Sequence, residues 1–396
     1  MQDIKDTYYY GIRKIVAIYI LALITSYLFV CITGELNGDF IGEYITIPQI
    51  VLFLLFIISL LPFIYVWNRY KYYKRKLKLC SAINVVNVLG GYALIFLVFN
   101  IIIRALGVGV MTGNATQNWV GTLGNNIFIF YLFAGAFLLE SRKRINVILI
   151  SALFLVACVL KASLQEVFYL LLFILLRYYA TLKRVLIKYW VLIPVLFVIA
   201  LNGISFLYEL RAELRTKDDI SLKEVEPTEI LCETLAGRLS CYSDVAFIVE
   251  NAPTFYIYAQ TIPVFFYQAQ WLDRFGVHLG NWADNLPERF LYEQNKNSKE
   301  DAGTSFMLGM PGMLIVSFMR SPWVFLINLI SMLLLIELYF ALLLKLSFPG
   351  VLEVGLTVLL YPILSGVSLE LFFAVIQCAI FWICIRKLNF NAHLCK

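Results

Sequence analysis

The sequence predicts an all-α, polytopic integral membrane protein with about 10–11 transmembrane helices and one large, partly helical loop. Of the 396 residues, 61% are hydrophobic and 15% are charged, whereas soluble domains carry about 45–50% and about 25%. The mean hydropathy is +0.81. Apolar runs such as Ile50–Leu61 are continuous, whereas transmembrane β-strands alternate apolar and polar residues. These values exclude a soluble globular, disordered or fibrous chain.

The apolar segments divide the chain into three regions. Because a membrane-crossing helix needs about 20 apolar residues, residues 1–207 are predicted to form about seven helices and residues 305–396 to form the remaining ones, with a hydrophilic loop at 208–304 between them. The predicted spans lie at about 14–34, 47–67, 82–103, 122–139, 145–160, 164–180, 189–208, 304–319, 323–344, 350–367 and 369–385.

Basic residues in the short loops predict the orientation, because Lys and Arg stay on the cytoplasmic side. Seventeen of them, including Lys74 and Arg320, fall on the side of the N-terminus. The three on the opposite side are Arg104, Lys161 and Lys345. We therefore predict a cytoplasmic N-terminus and an outward-facing large loop. The net charge of +6 comes from this uneven distribution and is not a nucleic-acid signal.

The sequence of the C-terminal region leaves open whether the chain has ten or eleven membrane spans. Eleven spans would place Arg386 and Lys387 outside, against the preference of basic residues for the cytoplasm. The segment 350–367 contains several glycines and Pro362, which favours a re-entrant or broken segment instead of a full span. Ten spans with both termini inside would then remain.

The loop 208–304 is predicted to be a folded outer cap. It holds nine Lys and Arg against sixteen Asp and Glu, a balance of −7 that leaves +13 for the rest of the chain. Its aromatic stretch Phe255–Trp271 predicts amphipathic helices at the membrane interface, interrupted at Pro263. Cys232 and Cys241 lie nine residues apart. On one continuous helix they would be separated by about 13 Å, too far for a disulfide, so we predict two thiols.

Arginines in this loop are the main candidates for binding an anionic substrate. Arg211 and Arg215 lie four residues apart just after the seventh span, and Arg238 follows in GRLSCYSDV, six residues before Asp244. A guanidinium binds phosphate oxygens through two parallel hydrogen bonds and keeps its charge. Alternatively, Arg211 and Arg215 pair with neighbouring glutamates on a solvated helix. Because the loop as a whole is acidic, only a local cluster could bind an anion.

Other residues could complete such a site. His278, in LDRFGVHLGNW, is a candidate for proton exchange near neutral pH, although a lone loop histidine is more often structural. Asp273 and Arg274 form either a surface pair or part of the same site, and Arg289 is a candidate phosphate contact. Arg104, at the outer end of the third span, either extends to the interface or adds a cation to the outer cavity.

Polar groups within the C-terminal spans are a further class of candidate. A carboxylate inside a membrane is costly and is a functional candidate by default, which applies to Glu337, Glu353 and Glu370. The segment GTSFMLGMPGMLIVSF (303–318) carries glycines that permit close helix contact. The chain has no GxxxxGK[ST], HExxH or DxD-like motif, so we predict no cofactor and no metal site.

The order of these features resembles the Wzy-type O-antigen polymerases, also called oligosaccharide repeat unit polymerases. The resemblance covers the many-span layout and residues 205–320, where arginines follow a central span and Arg238 lies in a predicted helix. Aromatic residues around TIPVFF and a Thr-Ser before GTSFMLGMPGMLIV complete it. It implies a polymerase that joins undecaprenyl-diphosphate-linked oligosaccharide units at the periplasmic face of the bacterial inner membrane, by metal-independent glycosyl transfer. Most described members carry two large periplasmic loops, whereas this chain has one.

The resemblance also implies partners: the lipid-linked oligosaccharide, membrane lipid, a chain-length regulator and a flippase, with no nucleic acid. Arginines would stabilise the charge that develops on the departing diphosphate. His278, Asp244 or Asp273 would deprotonate the acceptor hydroxyl. Two alternatives stay open: an O-antigen ligase-like glycosyltransferase, which shares this chemistry, and a polysaccharide flippase or other transporter.

Overall fold

The structure is a computed structural model, which describes residues 2–40, 42–77, 83–105, 131–141, 143–161, 165–192, 194–195, 198, 202–203, 236–273, 287–296, 307–348, 350–366 and 368–387. Within these ranges the elements are helices, and the only β-type pairing there is a bridge between Glu35 and Tyr44. The predicted all-α class is therefore confirmed. Most of the predicted span at 189–208 and the first half of that at 122–139 lie outside the described residues.

The α-helices with described bounds fall into the three predicted regions. The N-terminal region contains α1 (Gln2–Thr33), α2 (Gln49–Lys76), α3 (Ile83–Ala105), α4 (Tyr131–Glu140), α5 (Arg144–Lys161) and α6 (Gln165–Lys188). The loop region contains α7 (Ala236–Ser240), α8 (Tyr242–Glu250), α9 (Ala252–Thr261), α10 (Phe266–Asp273) and α11 (Pro287–Lys296). The C-terminal region contains α12 (Gly309–Arg320), α13 (Pro322–Leu346), α14 (Val351–Ser365) and α15 (Ser368–Lys387).

Among the described helices, three are long and apolar enough to cross a membrane: Tyr8–Thr33 within α1, Gln49–Lys76 and Pro322–Leu346. Shorter apolar segments lie in α3, α4, α5, α14 and α15. On α2 the apolar side chains of Ile50, Leu54 and Leu61 are exposed, as expected of a surface that faces lipid chains. The structure is thus compatible with the predicted membrane class, whereas the number of crossings and the location of the loop stay predictions.

The C-terminal half of α2 holds the hairpin of α13 and α14 through two carboxylates. We call this end of the bundle the basic end, because α2 finishes there with Lys74, Arg75 and Lys76. Glu337 of α13 accepts hydrogen bonds from the hydroxyls of Tyr65 (2.8 Å) and Tyr73 (3.0 Å). It also forms an ion pair with Arg69. A carboxylate on an apolar helix is stabilised when it is paired and hydrogen-bonded in this way.

The second carboxylate, Glu353 of α14, is completely buried. Its Oε1 atom accepts a hydrogen bond from the Tyr70 hydroxyl (2.8 Å) and forms an ion pair with Lys74. Tyr70 and Lys74 lie one helical turn apart, as Tyr65 and Arg69 do, so each tyrosine and its cation share one face of α2. The two carboxylates therefore dock both helices of the hairpin onto α2.

Helix α14 is the centre of the described bundle, because its side chains are buried around the whole helix from Val351 to Leu360. A helix that is apolar all round is expected in such a position. Gly350 and Gly366, both in the left-handed conformation, flank it. Of the two predicted alternatives for 350–367, a break at Pro362 is wrong, since Pro362 lies inside one continuous helix, and a re-entrant segment stays a prediction. At 15 residues, α14 is about 22 Å long.

Helix α12 does not run in the predicted direction. Arg320, at its end, donates a hydrogen bond to Gln260 of α9 (2.8 Å). Helix α9 begins next to Glu250, whose carboxylate binds Thr46 in the segment between α1 and α2. We call this side, defined by residues 34–48, the loop end. With 12 residues, α12 is about 18 Å long, which is too short to cross a bilayer core of about 30 Å.

Arg320 and Lys345 therefore lie at exchanged ends of the described bundle relative to the prediction, whereas their sides of the membrane stay a prediction. The turn after Lys345 lies at the basic end, where Gly350 packs against Tyr8 of α1. Helix α15 returns to this end, since the Lys345 ammonium lies 4.4 Å from the ring centroid of Trp382. The exchange leaves the count of seventeen against three basic residues unchanged, which is why charge counting missed it.

The loop region packs into the bundle instead of resting on it. As predicted, Pro263 lies between two helices, α9 and α10. Helix α8, however, is buried from Tyr242 to Ile248 and contacts α1, α2 and α12. The predicted continuous helix through Cys241 is wrong, because this residue adopts a left-handed conformation (φ 50°) between α7 and α8. Cys241 is a thiol whose sulfur donates to the Leu364 carbonyl oxygen, and Cys232 lies outside the described residues.

Topology reporters can test the direction of α12 and α13. Fusions after residues 75 and 348 should report the same compartment, and a fusion after residue 321 should report the opposite one, because about 36 Å of helix α13 separates its two ends. Alkaline phosphatase and green fluorescent protein fusions would give complementary signals. Equal signals from the fusions at 75 and 321 would contradict the arrangement.

Candidate functional site at the loop end

Helix α7 meets the segment that follows α1 through a contact between two glycines. A β-carbon on Gly237 would overlap the backbone of Gly38 and come within 2.9 Å of the Asn37 carbonyl carbon. Only glycine permits this approach. Arg238 follows Gly237 directly, so its backbone is fixed at this contact, whereas its side chain lies outside what the structure describes.

A buried polar cluster lies next to this contact. The hydroxyls of Ser26 (2.7 Å) and Ser243 (2.6 Å) donate to the side-chain oxygen of Asn37, whose backbone N–H donates to Ser243 (3.0 Å). All three residues are buried. Asp244 is also buried, in the first turn of α8, where a helix N-terminus favours negative charge. The cluster joins α1, the following segment and α8.

Three left-handed residues meet on the other side of α7 and α8: Cys241, Gly309 and Gly366. A β-carbon on Gly309 would lie 3.0 Å from that of Cys241, and one on Gly366 would overlap the backbone of Gly309. The prediction that glycines in the 303–318 segment permit close contact is thereby confirmed for Gly309. The α7–α8 turn is thus connected to the ends of both α12 and α14.

One end of α8 is anchored to the start of α2 and the other to the segment just before it. The Tyr242 hydroxyl donates to the carbonyl oxygen of Leu52 (2.9 Å). Burial raises the pKa of Tyr242 well above its usual value, so the phenol keeps the proton that makes this bond. At the other end, the Glu250 carboxylate accepts hydrogen bonds from the backbone and the hydroxyl of Thr46. Helix α8 is therefore held rigidly beside Arg238.

The predicted site residues divide into three groups by what the structure describes. Asp244 is buried in α8, three residues beyond the Cys241 turn. For four residues only the backbone position is described, on α3, α7, α10 and α11: Arg104, Arg238, Asp273 and Arg289. Four others lie outside the described residues: Arg211, Arg215, Arg274 and His278. The structure thus brings Arg238 and Asp244 to one junction and leaves the remainder of the predicted cluster untested.

Sequence reasoning missed the polar partners of this junction. Asn37 and Gly38 form an Asn-Gly pair between two apolar spans, which is a turn signal that marks a special backbone position. Ser26 and Ser243 are small polar residues within apolar runs and carry no separate signal. Among the described residues, no group of three His, Cys, Asp or Glu side chains could share a metal ion.

Comparison of the chain with protein-family models, curated proteins and solved structures found no match. The resemblance to Wzy-type polymerases therefore rests on the sequence features quoted above.

The contact of Gly237 with Gly38 predicts that alanine destabilises the protein at position 237 much more than at a glycine that has open space around it. Gly237→Ala should lower the free energy of unfolding by about 1–3 kcal/mol, because the added methyl group must displace α7 from the segment that follows α1. Gly91→Ala is the matched control, since a β-carbon there has nothing within 4 Å and alanine favours the helix. Thermal unfolding of the purified protein would measure both, and equal midpoints for the two variants would contradict the contact.

Proposed function

We propose that this chain is a membrane-embedded glycosyltransferase that polymerises oligosaccharide repeat units carried on undecaprenyl diphosphate. The observation that carries the proposal is the position of Arg238. Its backbone lies at the contact of Gly237 with Gly38, beside the buried Asn37–Ser243 pair. An arginine whose backbone is held in this way suits the binding of a charged leaving group, because cations that are positioned in advance stabilise developing negative charge.

The proposed reaction needs a leaving group, a cation and a base. The diphosphate leaves the donor sugar, and Arg238 stabilises the charge on its oxygens. The base must reach the acceptor hydroxyl, but Asp244 is only 5% exposed. We therefore assign Asp244 a positioning role near Arg238 and leave the base role to Asp273 or His278.

The alternative classes differ in what they require. A ligase shares the donor and the chemistry and differs only in the acceptor. A transporter would use paired charges halfway through the bundle, whereas Glu337 and Glu353 pair with the last ten residues of α2. Their partners, tyrosines and cations at the basic end, favour a role in helix docking. The polymerase proposal is therefore preferred to the transporter.

Replacement of Arg238 tests the proposal. In nanodiscs containing lipid-linked repeat units, Arg238→Ala should reduce the initial rate of chain extension about thirty- to a thousandfold, because the lost interaction is worth about 2–4 kcal/mol in the transition state. Arg238→Lys should also be impaired, since lysine lacks the two-pronged geometry. Gel electrophoresis of the glycan ladder would measure the rate.

Arg184→Ala serves as the control, because Arg184 is an exposed arginine on α6 and should leave the ladder unchanged. A wild-type ladder from Arg238→Ala at normal abundance would contradict the assignment. A purely structural pairing of Arg238 with Asp244 predicts low abundance of both Arg238 variants and recovery when the two charges are exchanged.

A further inference from the structure

Arg320 lies where the loop helix α9 meets the turn between α12 and α13. Its guanidinium donates a hydrogen bond to the side-chain oxygen of Gln260 (2.8 Å), and the Gln260 N–H₂ donates to the Met319 carbonyl oxygen (3.0 Å). The Ser321 hydroxyl then caps α13 by accepting from the backbone N–H of Val324 (3.2 Å). The turn and α9 are therefore held together, and we call Gln260 and residues 319–321 the Arg320 corner.

No carboxylate balances this arginine among the residues that the structure describes. The ion pairs in that part of the chain are those of Arg69 and Lys74 on α2. Neither α9 nor α12 contains an acidic residue. Along α13 the first acidic residue is Glu337, about 22 Å from the start of the helix at Pro322. Because arginine keeps its charge, the Arg320 corner carries a local positive charge.

The Arg320 guanidinium also has donors left for a ligand. Arginine carries five N–H donors in one plane, and the hydrogen bond to Gln260 uses one of them. Two donors on neighbouring nitrogens match the spacing of phosphate oxygens, which favours a bidentate contact. Arg320 can therefore bind a phosphate group without releasing α9.

An apolar strip runs along α13 from this corner. Its members lie three or four residues apart, so they share one face of the helix, and together they cover about 22 Å. All of them are exposed: Trp323, Leu326, Ile330, Leu334 and Leu338. Tryptophan is enriched at the boundary between lipid headgroups and chains, and Trp323 lies next to the corner. The strip therefore fits lipid chains, and the corner fits a lipid headgroup.

The charge of the corner selects the kind of lipid. A phosphodiester carries one negative charge, which a single arginine can balance, whereas a diphosphate calls for a further cation. Within the described part of the corner no carboxylate is available for the ammonium group of a zwitterionic lipid. An anionic phospholipid such as phosphatidylglycerol therefore matches the corner better than phosphatidylcholine or a prenyl diphosphate does.

We infer that the Arg320 corner binds an anionic phospholipid, with the lipid phosphate on Arg320 and the lipid chains along the exposed strip of α13. The bound lipid would hold α9, and with it the adjoining part of the loop region, at the bilayer surface. The lipid would occupy this corner whether or not the chain extends glycans, so its binding does not depend on the proposed polymerase activity.

Quenching of Trp323 by brominated lipids tests the site. The full chain is placed in phosphatidylcholine nanodiscs that contain a graded fraction of phosphatidylglycerol or phosphatidylcholine brominated in the acyl chains. The part of the fluorescence that Trp323→Phe loses reports on the corner, because Trp323 is 75% exposed there. Brominated phosphatidylglycerol should half-quench this part at about a fivefold lower fraction than brominated phosphatidylcholine, the factor that one arginine at a charged lipid surface contributes.

Three variants and a salt titration locate the origin of this preference. Arg320→Gln should abolish it, since glutamine removes the charge. Gln260→Ala is the matched control, because it removes the contact with α9 and leaves the cation, so the preference should persist. Arg75→Gln removes an exposed cation at the basic end and should also leave it unchanged. If Arg320→Gln does not fold, high salt should abolish the preference of the wild type, because the screening length falls to about 3 Å at 1 M.

The contrary results are equally specific. Equal quenching by the two brominated lipids, or a preference that survives both Arg320→Gln and high salt, would overturn the site. Equal loss of the preference in Gln260→Ala and Arg320→Gln would reduce Arg320 to a link with α9 and would also overturn it. Relief of the quenching by a low fraction of undecaprenyl diphosphate would assign the corner to that carrier and contradict a phospholipid site.

Discussion

The described structure depends on the docking of two carboxylates onto a single helix. An unpaired carboxylate on an apolar helix is costly, so Glu337 and Glu353 can be accommodated only where cations and hydroxyls meet them. Helix α2 supplies both from two Tyr-x-x-x-cation pairs, and in each pair the tyrosine and its cation, one helical turn apart, share one face. The carboxylates and pairs are Glu337 with Tyr65 and Arg69, and Glu353 with Tyr70 and Lys74.

The same docking determines where the loop end forms. Because Glu353 fixes the start of α14 at the basic end, the 15 residues of α14 determine where Gly366 lies. Gly366 then meets Gly309, and Gly309 meets Cys241, which begins the turn into α8. The position of Arg238 is therefore linked through four helices to an ion pair at the opposite end of the molecule. This linkage fixes the position of the Arg238 backbone relative to α2.

The sequence was sufficient for those features that depend on local composition. Hydropathy predicted the three long apolar helices, Pro263 predicted the break between α9 and α10, and the cost of a buried carboxylate singled out Glu337 and Glu353. It could not predict their partners on α2, which lie more than 260 residues away in sequence. The sequence also could not predict the direction of α12, because hydropathy measures how apolar a segment is and not which way it runs.

The candidate site was predictable only in part, for the same reason. Residue type and spacing singled out Arg238 and Asp244, and the structure places them at one junction. The residues that fix the junction, Asn37 and Ser243, are separated by 206 positions and are joined by tertiary packing alone. Left-handed backbone at Cys241 is likewise a tertiary effect, since cysteine has no intrinsic preference for it.

A double-mutant cycle on Lys74 and Glu353 tests the docking most directly. Lys74→Met should lower the free energy of unfolding by about 3–5 kcal/mol, because it leaves a buried carboxylate without its cation. Adding Glu353→Met should recover part of this loss, since two apolar side chains can pack where the pair was. Detergent-titration unfolding would measure each variant. A double variant whose loss equals the sum of the two single losses would contradict the claim that this pair docks α14 onto α2.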